Sequence, residues 1–577
     1  VNATTRILPP DRGLASLGPV SPGSISLQDA APAVRVGLEM HPDSDGQRWI
    51  VADVTTGRQW RVNAFAGKLL ALLDGARNVP AIATELGLDP AMVAQAVDRF
   101  AQMGLLDTPG GPRAVPAQAR PAATSATHVN GRPKRWRYRP PGVVELTLMD
   151  PRRLLDRLAP LIRLLASPAG QVVTAFVSLA GVLALLLALP ALGAELGRPA
   201  PLPVVGAALA LIVGATMTHE LAHAGSLTHA GHRVPRLGFM LMYGSPAMFC
   251  DVSEAWRLPP RRRVLVALAG ARVHLFVAGV AGAVVAASGP GGLRQVAAMA
   301  AAGNLVMAFV NLCPFVKFDG YIALIGGMDA PNLRARCIGE LNDVVARVVF
   351  GGRRATTTTP GRLAFGLACA VTGPFLLGVA LLSYAPTVLA VLGPLGALLV
   401  LFVALVVGAE LARRLVLRER RAAANGAGRT RRAVGWAVLA AVAVAALLWA
   451  RVPLQASTVY AVVDGRTVAV LPATGEEAFA DGSAVTLHRA GIVTSPVVAA
   501  ATVCGRPETV QVPVEAGSPV SSGVDLRMGR TVVPLCTAGG DGAVGAADGR
   551  VSAEPRSVSL PDWLQAKVID PALAQLP

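Results

Sequence analysis

The sequence predicts a multispan α-helical membrane protein of about seven spans, with an N-terminal α+β domain and a C-terminal β-rich domain. Three observations predict it. Of 577 residues, 53% are apolar and only 15% charged, whereas soluble domains carry about 25% charged residues. Apolar runs of about 20 residues, enough to cross a bilayer, recur near 172–193, 203–224, 263–288, 296–316, 362–384, 386–409 and 433–450. The formal charge of +17 is uneven: residues 451–577 hold nine basic and twelve acidic residues, leaving +20 for the remainder. Such asymmetry is a topology signal, so no nucleic-acid partner is expected. High but aperiodic Gly and Pro exclude collagen, and the high apolar content excludes a mainly disordered chain.

The elements run in order from a Pro-, Gly- and Ser-rich flexible leader, residues 1–33. Residues 34–108 read as a small globular domain. RWIVADV and GRQWRV are expected as two strands joined by a turn at Thr55, Thr56 and Gly57. Asn63 caps a helix over AFAGKLLALLDG that stops at Gly75, and helices follow at Val79–Leu86 and Pro90–Met103. Phe100, Met103, Leu105 and Leu106 supply part of the core. Two strands and three helices make a winged-helix pattern. In WRVNAFAGKLLALLDGAR and the closing FAQMGLLD, this stretch resembles the RiPP recognition element, a peptide-binding domain; DNA-binding winged helices share the pattern. The resemblance implies that an extended leader peptide adds as a strand to the 48–62 edge, with helix 90–103 supplying an apolar groove. Residues 109–171 read as a basic linker, Pro- and Arg-rich to residue 141 and including RPKRWRYRPP, then an amphipathic entry to the membrane.

The core spans 172–450. Arg and Lys crowd residues 133–163, 257–263, 333–363 and 412–432, while the loops near 194–202 and 289–295 carry little positive charge. The positive-inside rule then makes this a multi-pass cell-membrane protein with a cytoplasmic amino end and an extracytoplasmic carboxyl end. The opening VNATTRILPPDRG has no apolar run, consistent with a cytoplasmic first 150 residues. In the tail, 451–577, STVYAVVDGRTVAVL and SAVTLHRAGIVTS read as strands, with disorder expected around TAGGDGAVGAADGRVSAEP. Cys504 and Cys536 are the tail's two cysteines, and an oxidising exterior predicts a disulfide between them.

The chemistry sits inside an apolar run. His219, Glu220 and His223 form HELAH, and helical positions i and i+4 share one face, so both imidazoles can bind one metal. Glu220 lies beside them, where it can take a proton from an activated water. Charged groups in an apolar span are costly and tend to be functional. A catalytic zinc needs a third protein ligand. Asp319, in NLCPFVKFDGY, is the leading candidate; His229 is the alternative, because HExxHxxGxxH is matched except that Ser226 stands for the glycine. His274 reads as a hydrogen-bonded bundle histidine, Cys313 as helix packing, and Asp251 as a structural partner for an arginine in 257–263.

HELAH followed by Asn311, Pro314, Asp319 and Gly320 in N-x-x-P-x-x-x-x-D-G resembles the site-2-type intramembrane zinc metalloproteases in motif, spacing and order. The resemblance implies Zn2+ held by His219, His223 and Asp319, Glu220 as catalytic base, and Asn311 positioning substrate. Asp251, Trp256 and Ala269–Gly270 resemble the matching block of peptide zinc metalloproteases, and GFMLMYGSPAMF is expected as a strand-like lid beside the metal. With the recognition element, the whole is similar to the protease of daptide-type RiPP biosynthesis. That implies removal of the leader from a precursor peptide, with possible export or modification partners. The alternative is a regulatory protease cleaving a membrane-bound anti-sigma or transcription factor. A third class is a non-catalytic assembly component, which the intact motifs disfavour.

Overall fold

A computed structural model describes residues 6–7, 31–35, 38–42, 48–53, 59–107, 136–139, 143–242, 245–351, 358–424, 426–449, 451–472, 476–537 and 548–573. The chain divides into two compact units: Val1–Leu158 with Ala224–Val266 and Ile325–Asn332, and Ala159–His223 with Ala267–Leu324 and Leu333–Pro577.

The first unit opens with β1 (Arg6–Ile7), β2 (Leu38–Pro42), β3 (Arg48–Asp53) and β4 (Gln59–Asn63), in sheet order β1-β4-β3-β2. β1 runs parallel to β4, and the other pairs are antiparallel. Three helices follow, α1 (Ala64–Leu72), α2 (Val79–Leu86) and α3 (Pro90–Gln102). Each begins at a side-chain cap that satisfies an otherwise orphan amide. Asn63 accepts from the Ala66 amide at 2.7 Å, Asn78 from Ala81 at 3.0 Å, and Asp89 from Ala91 at 2.9 Å. Trp60, Leu69, Leu70, Ile82, Val97, Phe100 and Leu105 close a core between helices and sheet. The predicted turn at Thr55–Gly57 and most of the leader lie outside the described residues.

A second sheet in this unit departs from the sequence reading. β5 (Trp136–Arg139) and β6 (Val143–Met149) lie in the stretch read as linker, yet they pair with the hairpin Leu237–Met242/Ser245–Cys250 in one antiparallel sheet. Asp251 pairs with Arg236 at 2.8 Å rather than with an arginine of 257–263, because the hairpin brings Arg236 beside it. Arg236 also reaches the buried Glu145 at 3.4 Å. Burial raises the Asp251 carboxyl, but the Arg236 guanidinium outweighs it and holds the group below its ordinary range. Arg263 binds Asp329 at 2.6 Å and stacks over Trp256.

The helices continue with α4 (Arg152–Ala166), α5 (Pro168–Leu187), α6 (Leu189–Leu196), α7 (Leu202–His229), α8 (Pro260–Ala287), α9 (Gly292–Leu312), α10 (Asp319–Gly327), α11 (Leu333–Phe350), α12 (Pro360–Ala424) and α13 (Arg429–Trp449). Among the described residues five helical stretches are long and apolar enough to cross a membrane: α5, α7, α8, α9 and Leu392–Ala424 of α12. The runs expected at 362–384 and 386–409 both fall in α12, which breaks at Gly393 (φ 51°, ψ −126°), and the run at 433–450 falls largely in α13. Backbones of α5 and α8 meet closely: a Cβ on Gly181 would lie 1.9 Å from the Gly279 carbonyl oxygen. Small residues allow such approach where apolar burial gives little drive between helices.

The tail folds as a β-barrel. Six strands close on themselves in the order Arg466–Val470, Ser457–Val463, Gly549–Ala553, Ala484–Arg489, Val497–Val503 and Arg527–Thr537, the last returning to the first. Gly549–Ala553 belongs to the stretch expected to be disordered; its pairing with two neighbours orders it, and residues 538–547 lie outside the described residues. Cys504 and Cys536 are joined by a disulfide. The tail touches the α6–α7 connection. The Val493 amide donates to the Leu196 carbonyl at 3.1 Å, and Ala200–Pro201 pairs with Val520–Ser521.

Candidate metal centre

The site is built from two helix segments and a helix break. On α7 the four-residue spacing of His219 and His223 puts both rings on one face, and both are buried, 5% and 4% exposed. α9 ends at Leu312, and Pro314, lacking an N–H, cannot continue it. The chain turns and restarts at Asp319, the first residue of α10. Gly320 makes that turn possible, since a Cβ there would lie 2.0 Å from the Leu312 carbonyl oxygen. The D-G pair thus has a steric reason: the start of α10 presses against the end of α9.

Three atoms converge. Asp319 Oδ2 lies 3.0 Å from His219 Nε2 and 3.2 Å from His223 Nε2, and the two Nε2 atoms are 3.2 Å apart. Among the described residues, the group of three or more candidate ligands that can hold a metal ion is His219, His223 and Asp319. Ligands about 2.0–2.1 Å from a tetrahedral ion stand about 3.3–3.4 Å apart, so the spacing fits one ion. Two imidazoles and a carboxylate suit zinc and other divalent ions of similar taste. Burial raises the Asp319 carboxyl, but the hydrogen bonds of both imidazoles outweigh it and hold it well below the ordinary carboxylate range. Glu220 Oε1 stands 4.0 Å from His219 Nε2.

The other sequence-predicted residues divide around this group. Asn311 is half-buried in the last turn of α9. His229, the alternative third ligand, is exposed at the end of α7 and outside the triad. His232 pairs with Glu254 at 3.4 Å, and Cys313 is a free thiol. Two further residues lie around the triad: Gly270, singled out in the sequence only through a resemblance, and Asn304, which sequence reasoning missed. Gly270 on α8 faces the His219 ring so closely that a Cβ would lie 2.5 Å from Nε2. Asn304 on α9, fully buried, holds His274 Nδ1 at 2.8 Å. A buried Asn in an apolar run was the available signal for Asn304.

Compared with known family models, curated proteins and solved structures, the chain matches none.

Proposed function

We propose that the protein is an intramembrane zinc endopeptidase that hydrolyses a peptide bond of a precursor peptide, removing its leader in a RiPP pathway. One observation carries the reading: His219 and His223, four residues apart, and Asp319, nearly a hundred residues later, bring three donor atoms within 4.8 Å of one another beside Glu220. Zinc bound there would polarise a scissile carbonyl and lower the pKa of a water. His219, His223 and Asp319 would hold the ion. The Glu220 carboxylate takes a proton from the attacking water and passes it to the leaving amine. Asn311, one helix break before Asp319, positions the substrate chain. The N-terminal α+β domain is the recognition module, a winged helix that captures the leader through a sheet edge.

Seven spans and a cytoplasmic amino end complete the proposal. Charge asymmetry supports this topology. So does the tail's contact with the α6–α7 connection, since both are assigned to the outside. Under it α7 and α9 both run from outside to inside, and both ligand segments approach the cytoplasmic interface, where water can enter.

The test is cleavage of a precursor peptide encoded beside the protein's gene. Glu220→Ala should retain metal and lose about 10²–10⁴-fold in rate, the usual share of a general base. Full activity in that variant would remove the protease reading.

A further inference from the structure

Two of the three candidate ligands need no help to stand together, and the third does. His219 and His223 share α7, so the helical period alone fixes the spacing of their rings. Asp319 is the first residue of α10, reached through the turn that follows the end of α9 at Leu312. Its carboxylate stands 3.0 and 3.2 Å from the two Nε2 atoms only while that turn keeps its shape. A turn of this kind also takes carbonyls out of the helical ladder. Inside an apolar bundle, another group must supply their donors.

One residue meets both demands. Arg334, in the first turn of α11, donates from Nε to the Phe315 carbonyl at 3.2 Å, four residues before Asp319. Its backbone N–H donates to the hydroxyl of Tyr321 at 3.2 Å, two residues after Asp319. Tyr321 is itself buried. Nη2 of Arg334 donates to the Cys369 carbonyl of α12 at 3.2 Å, and the Phe315 ring packs 5.7 Å from Phe365 of the same helix. The third ligand is thus bracketed on both sides, and the bracket is tied to α12. A guanidinium suits the task, since its planar fork presents several donors in fixed directions. The geometry points to Arg334 as a positioning residue for Asp319. It holds the chain before and after the carboxylate, and so sets where Oδ2 stands against the two imidazoles. It acts through the backbone of the turn and the start of α10. The role rests on the metal reading above, and the test separates the two.

The experiment is a double-mutant cycle on full-length protein in lipid nanodiscs. Its readouts are zinc affinity, from competition against chelators of graded strength, and the visible spectrum of the cobalt-loaded site. Arg334→Met removes the fork but keeps an unbranched side chain and the backbone N–H. It should weaken zinc by about 10-fold, the lower end of what outer hydrogen-bond partners contribute, and shift the cobalt bands. The same substitution made in Asp319→Ala should cost nothing further, because the ligand it positions is already gone. Equal loss in both backgrounds overturns the proposal, by reducing Arg334 to packing. Unchanged affinity and spectrum in Arg334→Met overturn it too, and leave the metal centre intact. Wild-type protein that takes up no zinc removes the metal centre and this role together. Should Arg334→Met fail to fold, Arg334→Lys carries the same cycle, since it keeps the charge without the fork. A loss that appears only with Asp319 present is expected there as well. No loss, or a loss independent of Asp319, overturns the assignment.

Discussion

The two ends of α9 bury polar groups in different ways. Near its first turn, Glu195 is 3% exposed but sits among cations: Arg198 at 2.5 Å and Arg294 at 3.6 Å. Gln295, equally buried, donates to the carbonyls of Glu195 and Pro199. Beyond its last turn, the ring nitrogens of His219 and His223 converge on the Asp319 carboxylate. The first cluster is charge-compensated by the protein and ties down the connection on which the tail docks. The second gathers three candidate ligand atoms from two helix segments, which could hold a metal ion. Buried charge that the chain compensates is architecture, whereas donors that face one another are suited to take a ligand.

That contrast can be strained experimentally. The largest effect concerns the tail beside the first cluster. Replacing Cys504 and Cys536 by Ser releases a crosslink between residues 32 apart, worth about 3–4 kcal/mol by loop-closure entropy. The barrel should melt earlier while metal content is unchanged. A fall in metal would mean that the two ends are not independent. Next comes Glu195→Gln, which leaves Arg198 and Arg294 without a carboxylate. Breaking a fully buried pair costs about 3–5 kcal/mol, and partial exposure of Arg198 brings this nearer about 2. Thermal melts should record that loss with metal content unchanged. The smallest shift in stability, about 1–2 kcal/mol, is expected for Gly270→Ala, where the added methyl meets the His219 ring. Here zinc affinity should drop as well, and an undisturbed affinity would remove Gly270 from the site.

What the sequence made legible was local. Asn63 announces its helix because a cap acts within three residues, whereas the matching caps Asn78 and Asp89 emerged only in the structure. HELAH declares its shared face because helical period is a property of neighbours. Pairings over distance were harder. β5 and β6 looked like linker since Arg and Pro dominate their surroundings, and the partner of β6 lies more than ninety residues later. Asp251 was assigned to the nearest arginine cluster, whereas a hairpin delivers Arg236 from the other side. Gly549–Ala553 hid in a Gly- and Asp-rich run because its order comes from two flanking strands. His274 and Asn304 belong to different helices, so the sequence shows two isolated polar residues where the fold makes a pair.

The central claim is that the donors at the second cluster hold a metal ion. Elemental analysis of purified full-length protein, beside His219→Ala and Asp319→Ala, tests it most directly. The account predicts about one zinc per chain in the wild type, clear loss in Asp319→Ala and more severe loss in His219→Ala. Wild-type protein without metal, or equal metal in all three, would contradict it.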